Sequence, residues 1–134
     1  MEFLLLPFLV LSGLALSLFD FGGSGSADTG TGEDQHGGAS GDEAHVSGAD
    51  SYAGWGGDDT IIASDGGHAA GDAGNDSITA DASVANGGTG ADEIHATHGA
   101  TVNGNEDNDT IWAEGNSYAH GGDGDDTLWA DGAS

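Results

Sequence analysis

Gly121-Gly122-Asp123-Gly124-Asp125-Asp126-Thr127-Leu128-Trp129 is the stretch whose reading decides the fold. Its six glycines and aspartates predict a turn, and its last three residues a short strand. Glycine serves where the backbone needs positive φ or must approach another group closely. Asp126 supplies a carboxylate, and a tight turn brings backbone carbonyls round beside it. Hard oxygen donors gathered in this way suit Ca²⁺. Leu128 is the single large apolar anchor, expected to point into a core.

The stretch is one of a series. Aligned on the sixth position, the aspartates are Asp42, Asp59, Asp76, Asp92, Asp109 and Asp126, separated by 17, 17, 16, 17 and 17 residues. Two residues after each stands an anchor: Ala44, Ile61, Ile78, Ile94, Ile111 and Leu128. Two further on come Val46, Ala63, Ala80, Ala96, Ala113 and Ala130. That alternation is the period of a strand with one buried face. A weaker strand precedes each glycine turn, with Tyr52, Ala69, Ala85, Val102 and Ala119 in the apolar position. Short turns such as Ser64-Asp65-Gly66-Gly67 join the two strands. A turn of about six residues, two strands of about three and a turn of about five fill the period. Equal spacing over six copies predicts an all-β solenoid of about six 17-residue coils.

The nonapeptide resembles the G-G-x-G-x-D-x-U-x repeat of RTX (haemolysin-type calcium-binding) proteins, where U is a large apolar residue. The resemblance covers Gly37 to Trp129. It implies a right-handed parallel β-roll whose coils stack at about 4.8 Å. In that family ions sit between coils, held by the motif aspartate and by backbone carbonyls. Carried over, the ligands are Asp42, Asp59, Asp76, Asp92, Asp109 and Asp126, with Gly57, Gly74, Gly87, Gly90, Gly104, Gly121 and Gly124. The family loads ions along both edges, with two nonapeptides per coil. Here one half of each coil carries the motif, so calcium is expected along one edge, with at most about five ions in five gaps and any others at the ends. Asp65, Asp81, His98 and Asp131 mark the opposite edge, expected to be largely ion-free. Single copies depart from the pattern: Trp55 and Asp72 replace the second glycine, and Gly104-Asn105-Glu106-Asp107-Asn108-Asp109 lacks two glycines.

The chain has 134 residues, 24 of them acidic, and no lysine or arginine, for a formal charge of −24. Nothing can neutralise phosphates, which excludes nucleic-acid binding and attraction to anionic lipid. With no cysteine, disulfides cannot brace the fold. One large anchor per coil is a thin core, and stacked aspartates repel, so folding is expected to need calcium. His36, His45, His68, His95, His98 and His120 raise a transition-metal reading. His95-Ala96-Thr97-His98 lacks the zinc-protease pattern, and solvated surface histidines are the better account. No nucleophile elbow is present, the carboxylates are explained by the turns, and no enzyme is expected. Trp112 and Trp129, at the outward ninth position of adjacent coils, are expected to stack, chiefly as cross-strand packing.

Phe3 to Phe19 is uncharged and apolar. It fits a cleaved signal peptide, with Ala15-Leu16-Ser17 as the small-residue site, or an uncleaved anchor of about 25 Å. A buried helix is the third reading. A membrane-targeting segment, retained or cleaved, is favoured. The division is residues 1–21 as an apolar, helical signal or anchor, 22–36 as a flexible acidic Gly/Ser linker, and 37–134 as the calcium-binding β-roll. The expected protein is extracellular, secreted or attached by its N-terminal segment. Its partners are calcium ions and an unidentified protein or glycan, and its role is structural or in interaction. The alternative is a fragment of a larger secreted hydrolase or toxin of the same family.

Overall fold

The structure is a computed structural model that describes residues 26–28 and 34–132. The apolar segment at 1–21 therefore lies outside the described residues. The strands run in chain order as β1 (Ser26–Asp28), β2 (Asp34–His36), β3 (Glu43–Ser47), β4 (Ser51–Ala53), β5 (Thr60–Ser64), β6 (His68–Ala73) and β7 (Ser77–Asp81). They continue as β8 (Val84–Thr89), β9 (Glu93–Thr97), β10 (Thr101–Glu106), β11 (Thr110–Glu114), β12 (Tyr118–Asp123) and β13 (Thr127–Asp131). Odd strands form one parallel sheet, β1-β3-β5-β7-β9-β11-β13, and even strands a second, β12-β10-β8-β6-β4-β2. Two sheets of alternate strands, each paired with the strand one coil away, make a parallel β-solenoid of about six turns, as the repeat predicts.

Register puts like residues in columns. Ile61, Ile78, Ile94, Ile111 and Leu128 follow one another down the odd sheet. The four isoleucines are wholly buried. Facing them from the even sheet are Tyr52, Ala69, Ala85 and Val102, also buried. A large side chain from one sheet meets a mostly small one from the other, so the core is one layer thin. Its neighbours along each strand point outward, as the pleat requires. Leu128 is the exception: it is 47 % exposed, because among the described residues β13 has β11 beside it and no odd strand on its other side.

The strands are longer than expected. β8, β10 and β12 run through the first three motif residues, so Gly121-Gly122-Asp123 belongs to a strand and the turn proper is Gly124-Asp125-Asp126. Coils of like conformation continue the parallel ladder whatever their side chains, as Asn105 against Gly88 and Gly122 illustrates. The ladder also reaches into the stretch read as a linker. β1 pairs with β3, placing Ala27 against Ala44, and β2 pairs with β4.

The 16-residue spacing is absorbed on one edge. His68 pairs with Val84, 16 residues on, whereas Ser64 pairs with Asp81, 17 on. The lost residue comes from the short turn at Ala82 and Ser83, where Ala82 takes φ 47°. The aspartate edge keeps its register throughout.

Trp55 has φ 69° at the motif's second position, where Gly88 and Gly122 also take positive φ. A bulky residue held there costs on the order of 1–3 kcal/mol. Trp112 stacks on His95, with ring centroids 4.3 Å apart, and not on Trp129 as the register suggested. Trp129 stays 59 % exposed on the terminal strand.

Adjacent isoleucines give a test of the pleat. Ile61→Ala should cost about 2–5 kcal/mol in denaturant unfolding of the folded chain. Ile62→Ala, at a side chain 39 % exposed, should cost under about 1 kcal/mol.

Candidate metal centre

The last residue of each turn is the motif aspartate. Five of these side chains, Asp42, Asp59, Asp76, Asp92 and Asp109, are buried, and Asp126 is half-buried. Asp59, Asp76, Asp92, Asp109 and Asp126 each reach back one coil. Oδ1 of Asp59 accepts the amide of Asp42 at 2.7 Å, and Asp76 that of Asp59 at 2.8 Å. The same bond runs from Asp76 to Asp92, Asp92 to Asp109 and Asp109 to Asp126, at 2.8, 2.9 and 3.0 Å. The carbonyls of the same residues accept amides of the following coil, such as Ser77 on Asp59 and Thr110 on Asp92. The carboxylates are therefore fixed rungs between coils.

Their second oxygens are another matter. Oδ2 of Asp59, Asp76, Asp92 and Asp109 is buried and accepts no hydrogen bond. Each lies against the glycine five residues earlier in its own coil: Gly54, Gly71, Gly87 and Gly104 in turn. A Cβ on any of these would overlap that oxygen. A Cβ on Gly71 would also lie 2.7 Å from the Gly87 carbonyl oxygen, and one on Gly87 2.8 Å from that of Gly104. A carboxylate oxygen and a backbone carbonyl oxygen of the next coil thus converge on each glycine with no donor between them. Beside Gly37 the Oδ2 of Asp42 and the buried Tyr52 hydroxyl converge likewise, but there the Gly38 amide donates to Asp42 at 2.7 Å.

The electrostatics follow. Burial pushes Asp92 up to about 7 and Asp76 up to about 6. The amide bond to each opposes this, and the neighbouring carboxylates reinforce it. Asp59 and Asp109 are raised for the same leading reason. Burial disfavours the charged form, and so does a like charge on the next coil.

Of the glycines expected at the site, Gly87, Gly104 and Gly121 stand under the aspartate oxygens, together with Gly54 and Gly71. Gly57, Gly74, Gly90 and Gly124 form a separate column at positive φ. A Cβ on Gly74, Gly90 or Gly124 would strike a carbonyl of the preceding coil, and one on Gly57 would strike the backbone at Ser40 and Gly41, so these four serve close stacking. The sequence reading missed a second ladder, one position before the aspartates. The Asn75 amide donates to Asp58 Oδ1 at 2.9 Å, Ala91 to Asn75 at 2.9 Å and Asp125 to Asn108 at 2.7 Å. The signal was present: Asp or Asn occupies that position in four of the six copies.

The donor set fits a hard cation. It consists of oxygen throughout, carries negative charge and leaves buried oxygens without donors. Among the described residues no three His, Cys, Asp or Glu side chains converge, so each site would draw one carboxylate and otherwise carbonyls and water. The opposite edge has different chemistry. His98 Nδ1 and Thr97 Oγ1 contact Asp81 Oδ1 at 2.5 and 3.1 Å, and the His98 bond holds Asp81 below the ordinary carboxylate range. His45 and His95 lie exposed beside Glu43 and Glu93.

Comparison of the chain with protein families, curated proteins and solved structures finds no match.

The pKa shifts carry a sign. Asp92 and Asp76 bind protons more tightly when folded, so the folded state holds more protons between the unfolded value near 3.8 and about 7. Stability is then present at low pH and lost as pH rises. In chelator, strand content by circular dichroism should be greater at pH 5 than at pH 8. A higher strand content at pH 8 would contradict the burial of these carboxylates.

Proposed function

We propose that the chain is a calcium-binding repeat module that folds on Ca²⁺ and serves a structural or interaction role outside the cell. The observation that carries this reading is the row of buried Asp59, Asp76, Asp92 and Asp109 oxygens without a donor. At neutral pH such an oxygen requires a proton or a cation. Calcium would supply positive charge to the oxygens of adjacent coils, and its binding would become folding free energy. Asp59, Asp76, Asp92 and Asp109 are the side-chain ligands, with Asp42 and Asp126 at the ends of the column. Carbonyls of Gly71, Gly87, Gly104 and Gly121 complete the sites. The likeness of the repeat to RTX nonapeptides supports the same reading and extends it to a right-handed β-roll. An exported chain meets calcium at the millimolar level for which extracellular modules are tuned. Residues 1–21 would provide the export or membrane-targeting signal.

Two measurements test this. Circular dichroism at pH 7.5 should be coil-like in chelator and gain strand signal with calcium, but not with magnesium, which demands a tighter octahedral shell. Equal strand content in chelator would sink the proposal. The second uses Asp92→Asn, which keeps the Oδ1 acceptor and turns the orphaned oxygen into a donor toward the Gly104 carbonyl. Chelator-treated Asp92→Asn should be more stable than the parent at pH 8, yet take up fewer calcium ions by calorimetric titration. Asp81→Ala, on the opposite edge, should keep the parent's calcium stoichiometry.

A further inference from the structure

We propose that the outer face of the even-numbered sheet carries a binding site for a neutral saccharide, centred on Trp55. The outward column of that sheet runs His36, Ala53, Ala70, Asn86, Asn103 and His120. Ala53 and Ala70 are its two small members, and between their larger neighbours they leave a hollow of about 380 Å³. That volume lies within the usual range for small-molecule sites, about 300–1,000 Å³. Trp55 and His36 form one wall, their rings stacked 4.5 Å apart and 8° from parallel. The Trp55 side chain remains 59 % exposed. His68 and Asn86 bring an imidazole and an amide to the same hollow.

Two independent features point to recognition and not to packing. The first is strain. Trp55 takes φ 69° in a column whose other positive-φ members are Asp72, Gly88, Asn105 and Gly122, the residue types that tolerate positive φ. The other coils stack without an aromatic there, so stacking does not require one. A bulky residue kept in a disfavoured conformation marks a functional position. The second feature is charge. The chain has 24 acidic residues, yet the described residues that line this hollow include none.

The same features select the ligand. A net charge of −24 repels anions. Among the described lining residues no carboxylate offers a cation a partner. What remains is a neutral molecule with one apolar face for the indole and hydroxyls for the amide and imidazoles, which describes a sugar ring. Tryptophan offers a large, rigid contact area at little entropic cost. The hollow rests on the calcium reading only in that it needs the folded chain, so sugar binding is measured where strand content has been verified.

The full chain, in calcium and with its strand content verified, is titrated separately with cellotetraose, maltotetraose, xylotetraose, mannotetraose and tetra-N-acetylchitotetraose. Calorimetry and tryptophan fluorescence are read together. At least one of the five should bind and perturb the fluorescence. Trp55→Gly should weaken that binding by about ten-fold or more, while the melting temperature stays level or rises because the strain is relieved. Ala70→Gln, which fills the hollow, should also abolish binding with the fold retained. Trp129→Ala, several coils away, should leave it intact. Failure of all five sugars to bind would overturn the proposal. So would binding that survives Trp55→Gly or Ala70→Gln, or that is lost equally in Trp129→Ala. A fall in melting temperature for Trp55→Gly would show the indole to be a structural brace.

Discussion

The bond on which the rest of the structure depends runs from the carboxylate of one coil to the aspartate amide of the coil before it. It recurs from Asp42–Asp59 to Asp109–Asp126. It is directional, it is buried in all but the last instance, and it fixes the two coils in register. A slip of one residue would turn Ile61 or Ile78 to the outside and bring Thr60 or Ser77 in. The ladder also dictates composition nearby. Glycine stands five residues before each aspartate because the second carboxylate oxygen occupies the space of a side chain. Where the chain drops a residue, it does so at Ala82 and Ser83, on the edge where no such bond would be broken.

The same bond creates the molecule's electrostatic difficulty. One carboxylate oxygen accepts an amide while the other is buried without a donor, and the arrangement repeats at the spacing of a parallel sheet. Single buried carboxylates can be neutralised by protonation, and the raised values at Asp76 and Asp92 reflect that. A column of them cannot discharge independently, because protonating one relieves its neighbours. Solenoid stability is a sum of coil and nearest-neighbour terms. Here the nearest-neighbour term contains the titrating group itself. Whatever charge reaches one gap, whether proton or cation, changes the stability of the coils on both sides. On the calcium reading this makes uptake cooperative without any large rearrangement.

Much of the fold was legible because a solenoid writes its geometry as a period. The recurrence of Asp59, Asp76, Asp92 and Asp109 at 16 or 17 residues, with isoleucine two residues later, carried the coil length, the buried face and the stacking. Strand limits were less legible. Gly121 and Gly122 have turn composition, yet they pair as strand, because a parallel neighbour of like conformation holds the backbone regardless of side chain. The aspartates were found as one column, but the glycines looked like one class and are two. Gly87, Gly104 and Gly121 make room for an oxygen of their own coil, whereas Gly74, Gly90 and Gly124 make room for the coil before. Composition cannot separate these, since both demands are met by the absence of a side chain. Leu128 carried the anchor pattern, yet burial needs a neighbour on both sides, which the repeat does not encode.

Inside the solenoid, variation is suppressed: four isoleucines occupy one column and alanine dominates the one two residues on. Outside, the columns change from coil to coil, as in His45, Ile62, Thr79, His95, Trp112 and Trp129. Interior positions answer to stacking and exterior ones do not, so a residue that violates the stacking preference while exposed answers to something else. His98 and Asn116 also take positive φ, but in the short turns, where the reversal itself requires it. Trp55 lies in the column that favours glycine, aspartate and asparagine, and it accepts strain while leaving most of its ring in water. Stacking on His36 and an exposed 3.2 Å bond from the Trp55 amide to Asp72 Oδ2 are weak compensation, since His95 and Trp112 achieve the same stacking on strands without positive φ. The difference between those two pairs separates an aromatic that packs from one held in place for a ligand.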